Sequence, residues 1–274
     1  MRNLEAERTT NLALEALCKK RDVTFIDFWV DFQGVTTLEE HTFDGLHLMA
    51  SGYQIWCKKI APYVGRPTIN PDDTQSLQQH GGLGRSYGMR NTYFSMYPIH
   101  EGDVHMIGDE MIHGGEWHEL LANPKVKNRG TGWGYPGPNL LSTLQSVPVI
   151  FRKLEGQPKQ IYIYAGAGDV NGNIPLTQVM NTYKALVRKI REFAPQTRIC
   201  ILGLLLTDSR ELSLSRVVQF NHYLSFLAVD LEDVEYVDFY EVFSKDHMSK
   251  NKYFMGKTSV VKGMCVWFRL SMND

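Results

Sequence analysis

The sequence predicts an α/β fold with a parallel, doubly wound sheet over residues 92–274. Within that range, short apolar runs alternate with segments of helical periodicity, a pattern typical of strands joined by crossover helices that cover both faces of a sheet. The predicted strands are 104–107, 126–128, 161–165, 199–204 and 234–239, and the predicted helices are 139–154, 176–193 and 214–227. The composition, 43% hydrophobic and 22% charged, is that of a globular protein.

The first 66 residues carry a shorter αβα pattern. Apolar residues at helical spacing predict a helix over 3–20, β-branched and aromatic residues predict a strand over 23–28, and a second helix is expected over 50–63. Residues 67–91 lose this periodicity and gather Pro, Asn, Asp, Gln, Ser and Gly, so we expect a linker there. The predicted organisation is therefore 1–66, a linker over 67–91, and 92–274.

Charge and cysteine content exclude several classes of function. Twenty-nine basic against 30 acidic residues, with no basic run, give no sign of a nucleic-acid or membrane-surface partner. The four cysteines are far apart and lack metal-ligand spacing, so neither a zinc site nor a disulfide framework is expected. The N-terminal residues are charged and show no signal peptide, and no apolar run reaches the ~20 residues that span a bilayer.

An internal repeat links the two ends of the chain. Residues 23–56 align without gaps on residues 234–267 at a constant offset of 211, and the alignment pairs Asp27 with Asp238, Gly52 with Gly263 and Trp56 with Trp267. Further upstream, Asn11 meets Asn221 if one residue is inserted. The repeat predicts that residues 1–66 are a partial, C-terminal copy of the fold that residues 92–274 form in full.

One block of the first copy combines an acid with an imidazole. Asp44-Gly45-Leu46-His47 is followed by Ser51-Gly52-Tyr53 and by Trp56. This block resembles the last motif of the SGNH (GDSL) hydrolase family, in which the aspartate and histidine of a Ser-His-Asp triad stand three residues apart. The resemblance implies a three-layer α/β/α, flavodoxin-like fold, hydrolysis of acyl esters without a cofactor, and catalytic roles for Asp44 and His47. On the tetrapeptide alone, a helix-capping Asp44 and an ordinary turn histidine explain the residues about equally well.

The other SGNH motifs have counterparts in the second copy, and each is altered. Glu110 stands where the family places its nucleophilic serine, Trp133 falls by register on an oxyanion-hole glycine, and Gly168 replaces the oxyanion-hole asparagine. Residues 255–258, Met-Gly-Lys-Thr, fill the place of the Asp-His motif. A Ser-His-Asp mechanism needs an activated hydroxyl and oxyanion donors, so the sequence predicts that this chain alone hydrolyses no ester.

Three functional hypotheses follow. The chain is the C-terminal part of a tandem esterase, acting on acyl or acetyl esters such as those of carbohydrates, whose only retained catalytic residues are Asp44 and His47. Alternatively, residues 92–274 are a non-catalytic module that binds a carbohydrate or a protein, with Trp117, Trp133 and Tyr135 as stacking groups. Packing in the core or at the rim is the simpler interpretation of these aromatic residues. A third hypothesis places a metal or paired carboxylates among the histidines and acidic residues at 100–119, where scattered surface histidines are the simpler interpretation.

The partial first copy also predicts association. A single strand leaves an exposed edge and an apolar face, which favours docking onto the second domain or self-association between chains. The two copies could also exchange places, but the shorter loop of the C-terminal copy favours the local arrangement.

Overall fold

The computed structural model describes residues 4–32, 40–42, 47–64, 85–132, 139–205 and 214–238. The chain divides into two compact units, Met1–Gln79 and His80–Asp274. The fifth predicted strand lies partly beyond these ranges, and so do Asp44, Trp133, Tyr135 and residues 255–258.

The described residues of the first unit include the helices α1 (Leu4–Lys20), α2 (Trp29–Phe32) and α3 (Ala50–Val64). Helices α1 and α3 confirm the two predicted helices. The predicted strand over 23–28 is wrong: these residues belong to no strand in the described structure, and Val23 is largely exposed. A β-branched, aromatic segment becomes a strand only when a neighbour takes up its backbone hydrogen bonds.

The second unit contains seven helices and five strands in its described part. The strands are β1 (Val104–Gly108), β2 (Val126–Gly130), β3 (Gln160–Tyr164), β4 (Arg198–Leu202) and β5 (Val234–Val237). The helices are α4 (Arg85–Met96), α5 (Glu110–His113), α6 (Trp117–Leu120), α7 (Leu140–Ile150), α8 (Ala167–Asn171), α9 (Leu176–Phe193) and α10 (Leu214–Asp230).

All five strands pair in parallel, in the order β2-β1-β3-β4-β5. This confirms the predicted flavodoxin-like α/β fold. Every residue of β1 is buried, because helices cover both faces of a parallel sheet. Helix α9 follows the amphipathic pattern that predicted it, since Val179, Tyr183, Leu186 and Ile190 line its buried face.

Helix α4 begins inside residues 67–91, where the sequence predicts a linker. It has little amphipathic periodicity, but Phe94 and Ser95 are fully buried. Its Arg90 side chain donates to the Gly130 and Asn128 carbonyl oxygens at 3.2 and 3.3 Å. Tertiary contacts therefore stabilise a helix that its local pattern does not predict.

The predicted repeat is matched by local geometry upstream of residue 23. Helices α1 and α10 each contain 17 residues. The offset between their first residues, Leu4 and Leu214, is one less than the offset of 211 that holds from residue 23 onwards, as the inserted residue requires. Asp22 and Asp233 then both have a φ of 54°, a left-handed conformation that is uncommon outside glycine. Residues 23–26, however, form no strand, whereas their counterparts at 234–237 form β5, so the partial copy stays a prediction.

A buried side chain anchors the loop after β4. Asn221 of α10 accepts a hydrogen bond from the Leu204 backbone N–H at 2.7 Å and donates to the Leu204 carbonyl at 2.8 Å. Both partners are buried, so no water can readily replace the amide. No helix of the described residues is long and apolar enough to cross a membrane.

We predict that Asn221→Ala lowers the free energy of unfolding by about 2–4 kcal/mol, because it leaves a buried donor and a buried acceptor unpaired. Urea unfolding monitored by tryptophan fluorescence measures the change. Gln219→Ala, an exposed substitution on the same helix, is the matched control and should be nearly neutral. Equal effects of the two substitutions would contradict the anchoring role.

Candidate functional site

The strand order places a crevice at the carboxyl ends of β1 and β3. Starting from β1, the sheet extends through β2 on one side and through β3 on the other, so the chain switches direction between β1 and β3. Open parallel sheets bind ligands at such a switch point. The residues after β1, Asp109 and Glu110, and those after β3, 165–169, therefore form the candidate site.

Asp109 fixes the start of α5. Its Oδ1 accepts a hydrogen bond from the Met111 backbone N–H at 3.1 Å, and its carbonyl accepts one from the His113 N–H at 3.0 Å. The Asp109 N–H donates to the carbonyl of Tyr164, the last residue of β3, at 3.3 Å. Glu110 is consequently held as the first residue of α5, directly beyond the end of β1.

Two glycines allow the turn after β1 to sit against its neighbours. A Cβ on Gly108 would lie 2.0 Å from the Tyr164 carbonyl oxygen, and a Cβ on Gly130 would lie 2.1 Å from the His113 nitrogen. No side chain fits at either position without moving backbone. The Gly108 carbonyl also accepts hydrogen bonds from the N–H and the hydroxyl of Thr131, at 2.8 and 3.1 Å.

Asn128 and Trp117 hold the other end of α5. The Asn128 amide donates to the carbonyls of Ile112, His113 and Gly115 at 2.8–3.1 Å. The Trp117 indole N–H donates to the Ile112 carbonyl at 2.7 Å, and the side chain is fully buried. Trp117 is therefore part of the core, and the hypothesis that it stacks on a sugar is wrong.

Burial makes Asp109 a weak acid. Its pKa rises from 3.8 to about 7, chiefly because the carboxyl is desolvated, and the nearby Glu110 and Asp169 raise it further. The Met111 and Ala167 amides oppose the rise. Among the described residues, no donor forms a hydrogen bond with Asp109 Oδ2. The Ala167 N–H therefore lowers the pKa of Asp109 without a well-formed hydrogen bond to that oxygen.

The segment after β3 has glycines at the positions that face the candidate site by sequence motif, so it offers backbone N–H groups but no side-chain donor for an oxyanion. Gly166 precedes α8 with a φ of 105°, a conformation that favours glycine, and Gly168 lies inside α8. Asp169 accepts a hydrogen bond from the Leu140 N–H at 2.8 Å, so it anchors the start of α7. Burial raises the Asp169 pKa.

Comparisons with known proteins agree with this geometry. The model of the GDSL-like lipase/acylhydrolase family matches residues 108–258, more than half of the chain. The chain belongs to this family.

Two solved structures illustrate the likeness of this SGNH/GDSL chain to known folds. A candidate platelet activating factor from Streptococcus pneumonia has 19% identity and a TM-score of 0.56, covering 67% of this chain and 92% of its own. A lipolytic G-D-S-L family protein from Veillonella parvula DSM 2008 has 15% identity and a TM-score of 0.50, covering 62% of this chain and 98% of its own. At these identities the likeness establishes the fold. No curated protein matches the chain by sequence.

The histidines of residues 100–119 lie in different environments. His105 is completely buried in β1. The interpretation of the histidines at 100–119 as scattered surface residues is therefore wrong for His105. Burial, with the nearby Arg90, lowers the His113 pKa to about 4. Within the described ranges, no three His, Cys, Asp or Glu side chains form a group that could hold a metal ion.

The catalytic pair expected in the first unit is only partly described. Asp44 lies outside the described residues, and His47 is exposed. Thr42 and Leu48 form an antiparallel bridge, and the Met49 N–H donates to the His41 carbonyl at 2.8 Å, so the ends of the segment that carries the pair are fixed. Gly52 permits this packing, because a Cβ there would lie 2.7 Å from the His41 carbonyl oxygen.

We predict that Asp109→Asn removes a pH dependence of stability. The wild-type carboxyl binds its proton more tightly in the folded state, so it stabilises the fold at acidic pH, and this contribution is lost as the pH rises from about 4 to about 7. Asparagine keeps an acceptor for the Met111 N–H and cannot ionise. The variant should therefore gain up to about 4 kcal/mol relative to wild type at pH 8, the equivalent of the full pKa difference.

Urea unfolding between pH 4 and pH 8 measures this difference. Asp230→Asn, a substitution of an exposed carboxylate at the end of α10, is the control and should leave the pH profile unchanged. An Asp109→Asn profile parallel to that of wild type would refute the assignment of the titration to Asp109.

Proposed function

We propose that this SGNH/GDSL chain has no ester-hydrolase activity by itself, and that Asp44 and His47 are an acid and a base retained from an esterase site. The observation that carries the proposal is the place of Glu110. It follows the Asp109 cap at the carboxyl end of β1, where the family motif has its serine. A carboxylate there offers no hydroxyl that a base could activate.

The opposite wall of the crevice supports the same conclusion. Gly168 occupies the place of the motif's asparagine, and a glycine within α8 has no side-chain amide to donate to an oxyanion. Loss of one such donor costs about 10²–10³ in rate in other enzymes. Two independent requirements of acyl transfer are thus unmet at the carboxyl ends of β1 and β3.

The repeat supports a role for the first unit as the end of another SGNH domain. The equal lengths of α1 and α10 and the matching left-handed residues Asp22 and Asp233 extend the likeness upstream of the gap-free alignment of 23–56 on 234–267. In that arrangement Asp44 would orient His47, which would take the proton of a serine supplied by a complete domain. The substrate class would be acyl or acetyl esters, including carbohydrate esters.

We expect the purified chain to hydrolyse p-nitrophenyl acetate no faster than buffer containing an equal concentration of an unrelated protein. Measured release of p-nitrophenolate tests this, with His47→Ala as the companion variant. Turnover by the wild type that disappears in His47→Ala would refute the proposal. A slow background that is the same in both proteins would agree with it.

A second candidate function is ligand binding without turnover. It is supported by the intact scaffold around Glu110, since Asn128, Gly130 and Trp117 still hold α5 in place although the nucleophile is absent. Isothermal titration with an acetylated oligosaccharide should give saturable heat without released acetate. The absence of heat with every acetylated sugar would leave a protein partner, or another copy of this chain, as the ligand class of this second candidate.

A further inference from the structure

A histidine with no exposed surface is the second residue of β1, an interior strand of the sheet. Neither ring nitrogen of His105 has a hydrogen-bond partner, and its relative exposure is 0%. A neutral imidazole carries one N–H donor, so the folded domain leaves at least that donor unpaired. Buried polar groups are seldom unpaired in native proteins, and such exceptions point to a strained or regulatory position.

The charged groups around His105 are mainly positive. Lys127 of β2 is its direct register partner, and Arg129 follows two residues later on the same face of the sheet. Arg129 is itself buried, and desolvation lowers its pKa to about 10. On β3 the register partner is the apolar Ile161. Both neighbours of His105 on the β2 side therefore oppose a further positive charge.

Other elements place little negative charge near His105 to offset these positive charges. The nearest described carboxylate is Asp103, whose Oδ2 lies 3.9 Å from His105 Nε2 and already accepts the His100 backbone N–H at 3.0 Å. The exposed His100 imidazole also faces Asp103, at 3.7 Å. Helix α4 contributes Arg90, and at its end Tyr97 stacks under the Arg129 guanidinium, while α7 has no titratable side chain.

We propose that His105 is an acid-sensitive switch: when it takes up a proton it becomes a third positive charge beside Lys127 and Arg129, and the edge strand β2 opens away from β1. The opening reaches the candidate site, because Gly130 ends β2 and packs against the His113 backbone in α5. Acidification thus loosens the support of Glu110. The switch does not depend on which ligand the site binds.

The direction of the pH effect follows from linkage. Desolvation first, and then Arg129 and Lys127, lower the His105 pKa well below its ordinary 6.5. The open state binds the proton more readily than the closed state, so the stability of the closed state is complete above pH 6.5 and falls as the pH drops below it. Between pH 7.5 and pH 5.0 this one group shifts the opening equilibrium by about 30-fold.

Hydrogen–deuterium exchange of the full chain tests the proposal. Protection factors of the amides in 104–108 and 126–130, corrected for intrinsic exchange, are compared at pH 7.5 and pH 5.0 in wild type, His105→Leu and His105→Gln. The glutamine variant keeps a polar, non-titrating group if leucine disturbs folding. His118→Gln, a substitution of a half-exposed histidine in α6, is the matched control.

Asp109 and His113 also titrate in this range, with opposite signs, so the informative quantity is the difference between proteins. Acidification should reduce protection about 30-fold more in wild type and in His118→Gln than in either His105 variant. Equal pH responses in wild type and the folded His105 variants would overturn the proposal. An extra loss of protection that spares these two strands and appears only elsewhere in the chain would overturn it as well.

Discussion

The contact on which the candidate site depends is the backbone-to-backbone packing of the turn after β1. Gly108 approaches the end of β3, and Gly130 approaches α5, at distances that exclude any Cβ. A hydrogen-bonded frame from Asn128, Thr131 and Trp117 then closes around the turn. Because these requirements concern packing alone, the geometry of the turn does not depend on which side chain stands at position 110.

A second constraint on the domain is the burial of ionisable groups with few partners. Desolvation raises the pKa of Asp109 and lowers that of His105, so burial disfavours the charged form of both groups. Their effects on stability have opposite signs below neutral pH, since one group binds a proton on folding and the other releases it. The net response of the domain to acid is therefore a balance between these two groups, one within β1 and one directly after it.

The regular part of the fold was predictable because its signals are local. The apolar runs of β1 and β3 and the amphipathic spacing of α9 each specify an element without reference to distant residues. Helix α4 was missed because Phe94 and Ser95 are buried by tertiary contacts that leave no periodicity in the sequence. The strand expected at 23–28 failed for the converse reason, since its propensity needs a partner strand that the described structure does not provide.

The candidate site was predictable in place but not in detail. Its motifs located Asp109 and Glu110, whereas the supporting Asn128 could be recognised only from the three carbonyls it reaches. The burial of His105 does not follow from strand alternation, which only places successive residues on opposite faces of the sheet. Helices cover both faces of this sheet, so a residue on either face is buried.

Arg90 has a consequence for the behaviour of the protein in concentrated solution. Its guanidinium donates hydrogen bonds to the Asn128 and Gly130 carbonyls on the edge strand β2. These carbonyls are therefore less available to pair with a strand of another molecule. Natural sheets that leave such an edge bare are prone to fibril growth and precipitation. Arg90 therefore leaves fewer free carbonyl acceptors on this edge for a strand of another molecule.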